Sequence, residues 1–129
     1  MNMATQSAAR GDDETIEQEI QRKGKTAPRI TPADIEAAVR SEWYFTAGEG
    51  VAGATGAFPF DGHPGSPLSL LTFCVLVLRN GFTVTGESAC ASPENFDAEI
   101  GRKIARQNAI AKIWPLEGYM LKQRLHDAA

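Results

Sequence analysis

Apolar residues run almost continuously through residues 68–78, LSLLTFCVLVL, and this run is the strongest structural signal in the chain. It is rich in β-branched and aromatic residues and is apolar at both alternating sets of positions, which predicts a strand covered on both faces. The Asn80–Gly81 pair that follows predicts a hairpin with a type I′ turn. Residues 82–89, FTVTGESA, alternate between apolar or small and polar positions. They predict a second strand with one packed face and one polar face.

Apolar residues with helical spacing precede the hairpin. Residues 30–45, ITPADIEAAVRSEWYF, predict a helix that includes Val39. Thr31 is suited to cap its N-terminus and Pro32 to occupy its first position. The unit ends at the aromatic residues 43–45, where the chain can already be extended.

A longer helical pattern follows the hairpin. Residues 92–114 predict a helix that starts at Ser92 or Asn95, since both residue types are favoured N-caps. Gly101 in its interior costs about 1 kcal/mol relative to alanine, which favours a role in close packing against the sheet. Pro115 is predicted to interrupt the helix at the residue before it. A second helix follows, and its predicted apolar contacts are Leu116, Tyr119, Met120 and Leu125.

Segments of different composition define the domain organisation. Residues 1–13 are small and polar and are expected to be disordered, and residues 14–29 are expected to form a marginal helix and a linker. Residues 30–126 are predicted to form a single domain, in which the Gly- and Pro-rich residues 47–67 form an irregular loop. The predicted fold class is α+β: a small antiparallel sheet with a central hairpin, one helix before it and a long Pro-interrupted helix after it.

Charge and composition narrow the classes of partner. The net charge of −3 and the pI near 5.4 disfavour DNA or RNA binding, which usually needs a basic surface. The start of the chain lacks the apolar core of a signal peptide, and the apolar run of residues 68–78 is too short to cross a bilayer as a helix. Cys74 and Cys90 do not have the spacing of a metal site. We therefore expect no membrane span, no metal, no other cofactor and no disulfide, in a reducing cytoplasm.

The polar block of residues 86–95 lacks a recognisable catalytic arrangement. Ser88 is not part of a GxSxG elbow, and the sequence indicates no partner for Cys90 as a nucleophile. A small buried thiol is the simpler interpretation of both Cys74 and Cys90. We therefore expect no catalytic residue and no enzymatic activity.

A ligand pocket is the functional interpretation that these residues favour. A helix N-terminus attracts anions, arginine offers a bidentate fork for phosphate, and an aromatic ring can stack on a base. The residues predicted to form such a nucleotide site are Phe82, Glu87, Ser88, Asn95, Arg102, Arg106 and Arg40. A solvated helix face remains the open alternative for the basic residues, with Glu99 paired to Arg102 or Lys103.

Three stretches carry a family resemblance: ITPADIEAAV at 30–39, LRNGFTVTGESACASPENFDAEIGRKIARQNA at 78–109 and AKIWPLEGYMLKQRL at 111–125. Within them, NGFTVTGESAC, NFD, GRKIA and IWPLEGY follow one another with nearly the spacing of the family pattern. The chain resembles a family of small tailed-phage accessory proteins, with members in N-four-like and Shigella phages, over residues 30–125. The pattern is also similar to that of the first class of Thoeris anti-defence proteins.

The resemblance implies a function that the residues alone do not specify. Thoeris anti-defence proteins of this class are oligomeric, and they bind and sequester host cyclic nucleotide signals without degrading them. It therefore implies a homo-oligomer in the host cell cytoplasm that binds a cyclic ADP-ribose isomer or a cyclic oligonucleotide. The alternative is an accessory protein that binds and inhibits a host protein. Such a protein would expose an apolar patch on its surface, formed by Phe58, Phe60 and Trp43.

Overall fold

Three strands form the centre of the structure, a computed structural model that describes residues 13–57 and 66–129. The strands are β1 (Val39–Thr46), β2 (Leu71–Leu78) and β3 (Thr83–Ala89). The helices are α1 (13–22), α2 (Pro32–Ala38), α3 (Ala47–Thr55), α4 (Ala98–Ala111) and α5 (Ile113–Ala128). The strand order is β1-β2-β3 and both pairs are antiparallel, which confirms the α+β prediction with its central hairpin.

The two faces of the sheet have different surroundings. Along β2, buried residues alternate with half-buried ones, as the two-residue period of a strand requires. The buried face lies under α4, and its members from β2 are Thr72, Cys74, Leu76 and Leu78. We call the other side the open face; it carries Ser41, Trp43 and Phe45 from β1, Leu71, Phe73, Val75 and Val77 from β2, and Thr83, Thr85, Glu87 and Ala89 from β3. The prediction that β2 is covered on both sides is met on one side only, because α3 reaches just the end of the open face near Phe45.

Glycines allow α4 to lie very close to the sheet. A Cβ atom at Gly86 would lie 2.1 Å from the carbonyl oxygen of Ala105 and 2.3 Å from the backbone nitrogen of Ala109. One at Gly101 would lie 3.1 Å from Thr72 Oγ1, which confirms the predicted role of Gly101. The backbone of α4 therefore lies directly on β3, and the helix buries Ile104, Ala105, Ala109 and Ile110.

The helix predicted over residues 30–45 is wrong in its second half. Thr31 caps α2 as expected, but the helix ends at Ala38 and β1 starts at Val39. Helical spacing of apolar residues supported the longer helix, yet β2 offers a full antiparallel ladder from Ser41 to Thr46. The aromatic residues at 43–45 suit a pleated surface, and tertiary pairing overrides the local helical pattern.

The irregular loop predicted over residues 47–67 is also corrected. Residues Ala47–Thr55 form α3, whose N-terminus carries a reciprocal capping box between Thr46 and Glu49. The Thr-x-x-Glu spacing was present in the sequence and is the signature of this cap. Gly56, at φ +81°, ends the helix.

The hairpin is confirmed, but its turn is not type I′. Of the two residues of the Asn80–Gly81 pair, only Gly81 has a positive φ (+90°), whereas a type I′ turn would also need one at Asn80. The N–H of Gly81 donates to the carbonyl of Leu78 (2.9 Å), and the N–H of Leu78 donates to the carbonyl of Phe82 (2.8 Å). The loop therefore has three residues with glycine last, another common hairpin geometry.

The boundaries of the last two helices differ from the prediction. Asp97, not Ser92 or Asn95, caps α4, and its carboxylate accepts a hydrogen bond from Ile100 N (3.0 Å). The break falls at Lys112, and Pro115 lies in the first turn of α5. Proline lacks an N–H to donate to the preceding turn, so the ladder breaks one turn before it.

The first helix contacts the domain through an ion pair. Glu17 is 9% exposed, and its carboxylate receives both terminal nitrogens of Arg29, at 2.6 and 2.7 Å. Of the two isoleucines in α1, Ile20 is half-buried and Ile16 is 52% exposed. Of the tail predicted over residues 1–13, residues 1–12 lie outside the described part of the chain, and Asp13 is the first residue of α1. No helix in the described part has the length and hydropathy to cross a membrane.

Candidate functional site

A groove of about 660 Å³ lies between α2, the β2–β3 turn and α5, and we call it the hairpin groove. Its floor is apolar and is built from Ile30, Ala38, Leu78 and Leu116. Its walls carry two aromatic rings, Phe82 and Tyr119, and two arginines, Arg79 and Arg124. Its volume is within the usual range of small-molecule sites, and an apolar floor with a few polar groups is their usual lining.

The turn geometry places Phe82 and Arg79 at the groove. Asn80 Oδ1 accepts a hydrogen bond from Phe82 N (3.0 Å), which orders the residue after the turn. Arg79 N donates to Ala38 O (3.0 Å), and Arg79 Nε donates to Ala37 O, so the turn is tied to α2. The Phe82 side chain is 56% exposed as a result. The bond through Nε leaves the terminal N–H groups of Arg79 for a bidentate contact.

Both positively and negatively charged residues line the hairpin groove. Arg124 takes part in none of the ion pairs formed among the described residues. Arg29 is already bonded to Glu17. Two carboxylates, Asp34 and Glu117, also line the groove. The site therefore offers cations for an anion together with carboxylates that can accept from hydroxyl or amino groups.

Arg106, which was predicted to bind a ligand, takes part in a hydrogen-bond and ion-pair network away from the hairpin groove. Its terminal nitrogens bind the Glu36 carboxylate at 2.8 and 3.1 Å, and its Nε binds Glu42 Oε2 at 3.1 Å. Tyr44 donates its hydroxyl to Glu42 Oε1 at 2.8 Å. This network joins α2, β1 and α4, so its first role is to hold these elements together.

The pKa values in this network shift in the directions that favour the bonded forms. The Tyr44 hydroxyl and then Arg106 lower the pKa of Glu42. The bond to Glu36 raises the pKa of Arg106, and burial together with Glu42 raises the pKa of Tyr44. The charged carboxylate, the charged guanidinium and the neutral phenol therefore stabilise one another at neutral pH.

A comparison with protein families matches residues 30–125 of the chain to the Phage protein (N4 Gp49/phage Sf6 gene 66) family. The chain belongs to this family. No curated protein and no solved structure matches the chain. The matched segment of this gp49/gene 66 family protein includes the hairpin groove residues Arg79, Phe82 and Arg124, whereas α1 lies outside it. The predicted resemblance to a tailed-phage family is thereby confirmed.

In this gp49/gene 66 family protein, the other predicted arginines lie apart from the groove. Arg102 lines a small cleft of about 150 Å³ beside Tyr44, Phe45 and Phe96. Arg40 is exposed, next to the irregularity in the β1–β2 pairing. Lys103 fits the alternative interpretation, a solvated helix face, because it pairs with Glu99 at 3.6 Å on the exposed side of α4.

The polar block after the hairpin is divided between two faces of the sheet. Glu87 is exposed on the open face opposite Phe73, whereas Ser88 is 3% exposed on the face toward α4. This division follows from the two-residue period of a strand. Asn95 is exposed in a single 3₁₀ turn, Pro93–Asn95. Of the seven predicted ligand residues, only Phe82 lines the hairpin groove.

The sequence prediction missed the two groove arginines. Arg79 directly precedes the Asn80–Gly81 pair and Arg124 lies in the last helix, and neither is among the seven residues predicted to bind a ligand. Two of the predicted apolar contacts of α5, Tyr119 and Met120, are 73% and 45% exposed in the structure. Their apolar surface lines the groove instead of filling a core.

Proposed function

We propose that this phage protein binds a cyclic nucleotide signal of the host in the hairpin groove and sequesters it without degrading it. The observation that supports this function is the arrangement of an exposed ring, Phe82, and two arginines, Arg79 and Arg124, around an apolar floor. The proposed place of action is the host cytoplasm, and the proposed ligand is a cyclic ADP-ribose isomer or a cyclic oligonucleotide rather than DNA or RNA.

Each part of such a ligand has a matching group in the groove. The guanidinium groups of Arg79 and Arg124 bind phosphate oxygens through bidentate, charge-assisted hydrogen bonds. Phe82 and Tyr119 offer faces on which a base stacks, and such stacking is worth about 1–3 kcal/mol per base. The carboxylate of Glu117 can accept hydrogen bonds from ribose hydroxyls.

Sequestration requires tight binding and slow release, with no chemical step. The turn next to Phe82 is already fixed by the bonds of Arg79 to α2 and by the bond from Phe82 N to Asn80, so less side-chain and loop entropy is lost on binding. A cyclic ligand is itself restricted, which reduces the same cost. Both features favour a high affinity for the size of the site.

Thermal unfolding and native mass spectrometry with cyclic ADP-ribose isomers, cyclic dinucleotides and cyclic trinucleotides test this proposal. A ligand at 100 times its Kd stabilises the native state by about 2.7 kcal/mol, so we expect a clear rise in Tm. Arg124→Ala should weaken binding about tenfold to a hundredfold, since it removes a charged hydrogen-bond donor. Phe82→Ala should weaken it by about tenfold or more.

Lys122→Ala is the matched control, because Lys122 is a cation on the same helix that does not line the groove. It should bind as tightly as the wild type. Intact ligand should be recovered after the complex is denatured, whereas recovery of a hydrolysed product would indicate an enzyme. Absence of stabilisation by every cyclic nucleotide tested, or equal losses in Lys122→Ala and Arg124→Ala, would overturn the proposal.

We also propose that the open face binds a second copy of the chain, which gives a homo-oligomer. Trp43 is 62% exposed on this face, and Phe45 stacks on Phe73 with ring centroids 5.4 Å apart. The β1 and β2 residues of the open face are uncharged. Two copies can therefore meet through these β1 and β2 residues around a two-fold axis without buried like charges, with Glu87 of β3 at the rim of the contact.

Light scattering after size exclusion tests the oligomer, with Trp43→Ser as the disrupting variant. Tyr119→Ser, an exposed aromatic on α5, is the control and should leave the mass unchanged. A wild-type monomer at micromolar concentration would contradict self-association. It would favour the second candidate function, in which the open face binds and inhibits a host protein. Two members of the patch first expected for that function, Phe58 and Phe60, lie outside the described residues.

A further inference from the structure

Two buried polar atoms near the junction of α4 and α5 have no hydrogen-bond partner in the described part of the chain. They are Gln107 Oε1, an acceptor, and Trp114 Nε1, whose N–H is a donor. Buried polar atoms are almost always hydrogen-bonded, so a pair without partners needs an explanation. Trp43, the other tryptophan, is different because its Nε1 donates to Ser41 Oγ at 3.1 Å.

Gln107 and Trp114 line the same cavity, of about 360 Å³, which we call the α2–α4 cavity. Ile35 and Ile110, which are 1% and 7% exposed, form its apolar floor. The cavity adjoins the side of α2 that carries Pro32, Ala33 and Glu36, whereas Asp34, Ala37 and Ala38 line the hairpin groove. The two sites are therefore distinct, and this inference does not rest on the proposed function of the groove.

The charges around the α2–α4 cavity disfavour an anion. Three carboxylates line it, those of Asp13, Glu14 and Glu36, and its one cation in the described lining is Arg106. Arg106 is already neutralised by Glu36 and Glu42. A phosphate or carboxylate ligand would meet net negative charge there, while an uncharged molecule would not.

We infer that the α2–α4 cavity is a binding site for a small, planar, uncharged molecule with a carboxamide or lactam edge, such as a nucleobase without phosphate. The carbonyl of that edge accepts from Trp114 Nε1, and its N–H donates to Gln107 Oε1. The flat remainder lies on the isoleucine floor. The cavity is at the lower end of the usual range for ligand sites, which fits a single ring system.

The indole N–H resonances in a ¹⁵N-correlated NMR spectrum test this site directly, with 2-pyridone as the probe. Trp114 and Trp43 give separate indole signals, so Trp43 serves as an internal control. We expect a saturable shift of the Trp114 signal and none of the Trp43 signal. N-methyl-2-pyridone lacks the N–H donor and should bind at least tenfold more weakly, because Gln107 Oε1 then stays unpaired. Inorganic phosphate should cause no shift of the Trp114 signal.

Two variants make the test independent of folding. Gln107→Leu removes the acceptor, and Ala33→Phe places a ring at the mouth of the cavity from an exposed position on α2. Both should lose the 2-pyridone shift, while Lys112→Ala, an exposed change between α4 and α5, should keep it. The inference is overturned if millimolar 2-pyridone leaves the Trp114 signal unmoved, or if that signal shows only contact with water. Equal binding of 2-pyridone and its N-methyl form would overturn it as well.

Discussion

Replacement of Gly86 by alanine tests the seating of α4 on the sheet. The added Cβ would lie 2.1 Å from Ala105 O and 2.3 Å from Ala109 N. Carbon–oxygen contacts in proteins are rarely closer than about 3.3 Å, so α4 would have to move by about 1 Å. Both clashing atoms belong to the helix backbone, so no side-chain rotation relieves them.

The free-energy cost of Gly86→Ala depends on the buried contacts that the shift of α4 would disrupt. Ala105 and Ala109 are fully buried against the sheet, and Cys74 and Leu76 under them are 0% exposed. Overpacked cores usually lose about 1–3 kcal/mol. Because the clash is with backbone, we expect a loss of about 3 kcal/mol or more, against about 0.5–1 kcal/mol gained when a strand glycine is replaced. At about 4 °C per kcal/mol for a chain of this size, Tm should fall by about 10 °C.

Chemical and thermal unfolding followed by circular dichroism measure the effect. Gly118→Ala is the matched control: a Cβ there meets no atom within 4 Å, and Gly118 lies inside α5. That variant should be stabilised by up to about 1 kcal/mol. If Gly86→Ala lies within 1 kcal/mol of the wild type, α4 does not lie on β3 as described.

Three further predictions concern single interactions. Asp97→Ala should cost about 1 kcal/mol in urea unfolding, whereas Ser92→Ala should be nearly neutral because its side chain makes no capping bond; equal effects would contradict the observed cap. The bond to Arg29 lowers the pKa of Glu17 from 4.5 to about 2, so attachment of α1 should be complete above pH 4.5 and weaken as pH falls toward 2. Hydrogen exchange should show this loss of protection in the wild type and not in Glu17→Gln; undiminished protection at pH 3 would refute it. Burial raises the pKa of the Cys74 thiol, so thiol reagents should not label it until the protein unfolds, and rapid labelling in the native state would count against its buried position.

The hairpin and the helix that follows it could be predicted because their signals are local. The apolar run of β2, the Asn80–Gly81 pair and the alternation of β3 act over a few residues. The end of α2 could not be predicted in this way. Residues 39–46 fit a helix by spacing and a strand by residue type, and pairing with β2 decides between them.

Local signals were also present where the prediction was wrong. The capping box at Thr46 and Glu49 starts α3 within a stretch whose glycine content suggested a loop. Asp97 has the residue type of an N-cap, as Ser92 and Asn95 do, and it is the residue that caps α4. The start of α4 was predicted wrongly because Ser, Asn and Asp are nearly equivalent as N-caps, with differences of about 1 kcal/mol or less.

The candidate site depended far more on tertiary structure. Arginine, aromatic and polar residues could be selected as types that bind nucleotides, but the sequence does not reveal their neighbours. Arg106 bonds to Glu42 and Glu36, which are 64 and 70 positions away in the chain. Arg79 and Arg124 lie 45 positions apart and line one groove because the β2–β3 turn and α5 both adjoin α2.

By itself, the sequence determined the α+β class, the central hairpin and the core role of β2, because short-range periodicity and turn chemistry specify them. The family followed from the similarity of residues 30–125 to the family pattern. Only the tertiary structure decided which charged residues of the chain are neutralised by ion pairs and which line the groove without one. It also decided which apolar surfaces stay uncovered within one chain. These properties depend on distances between residues far apart in sequence, which local patterns do not encode.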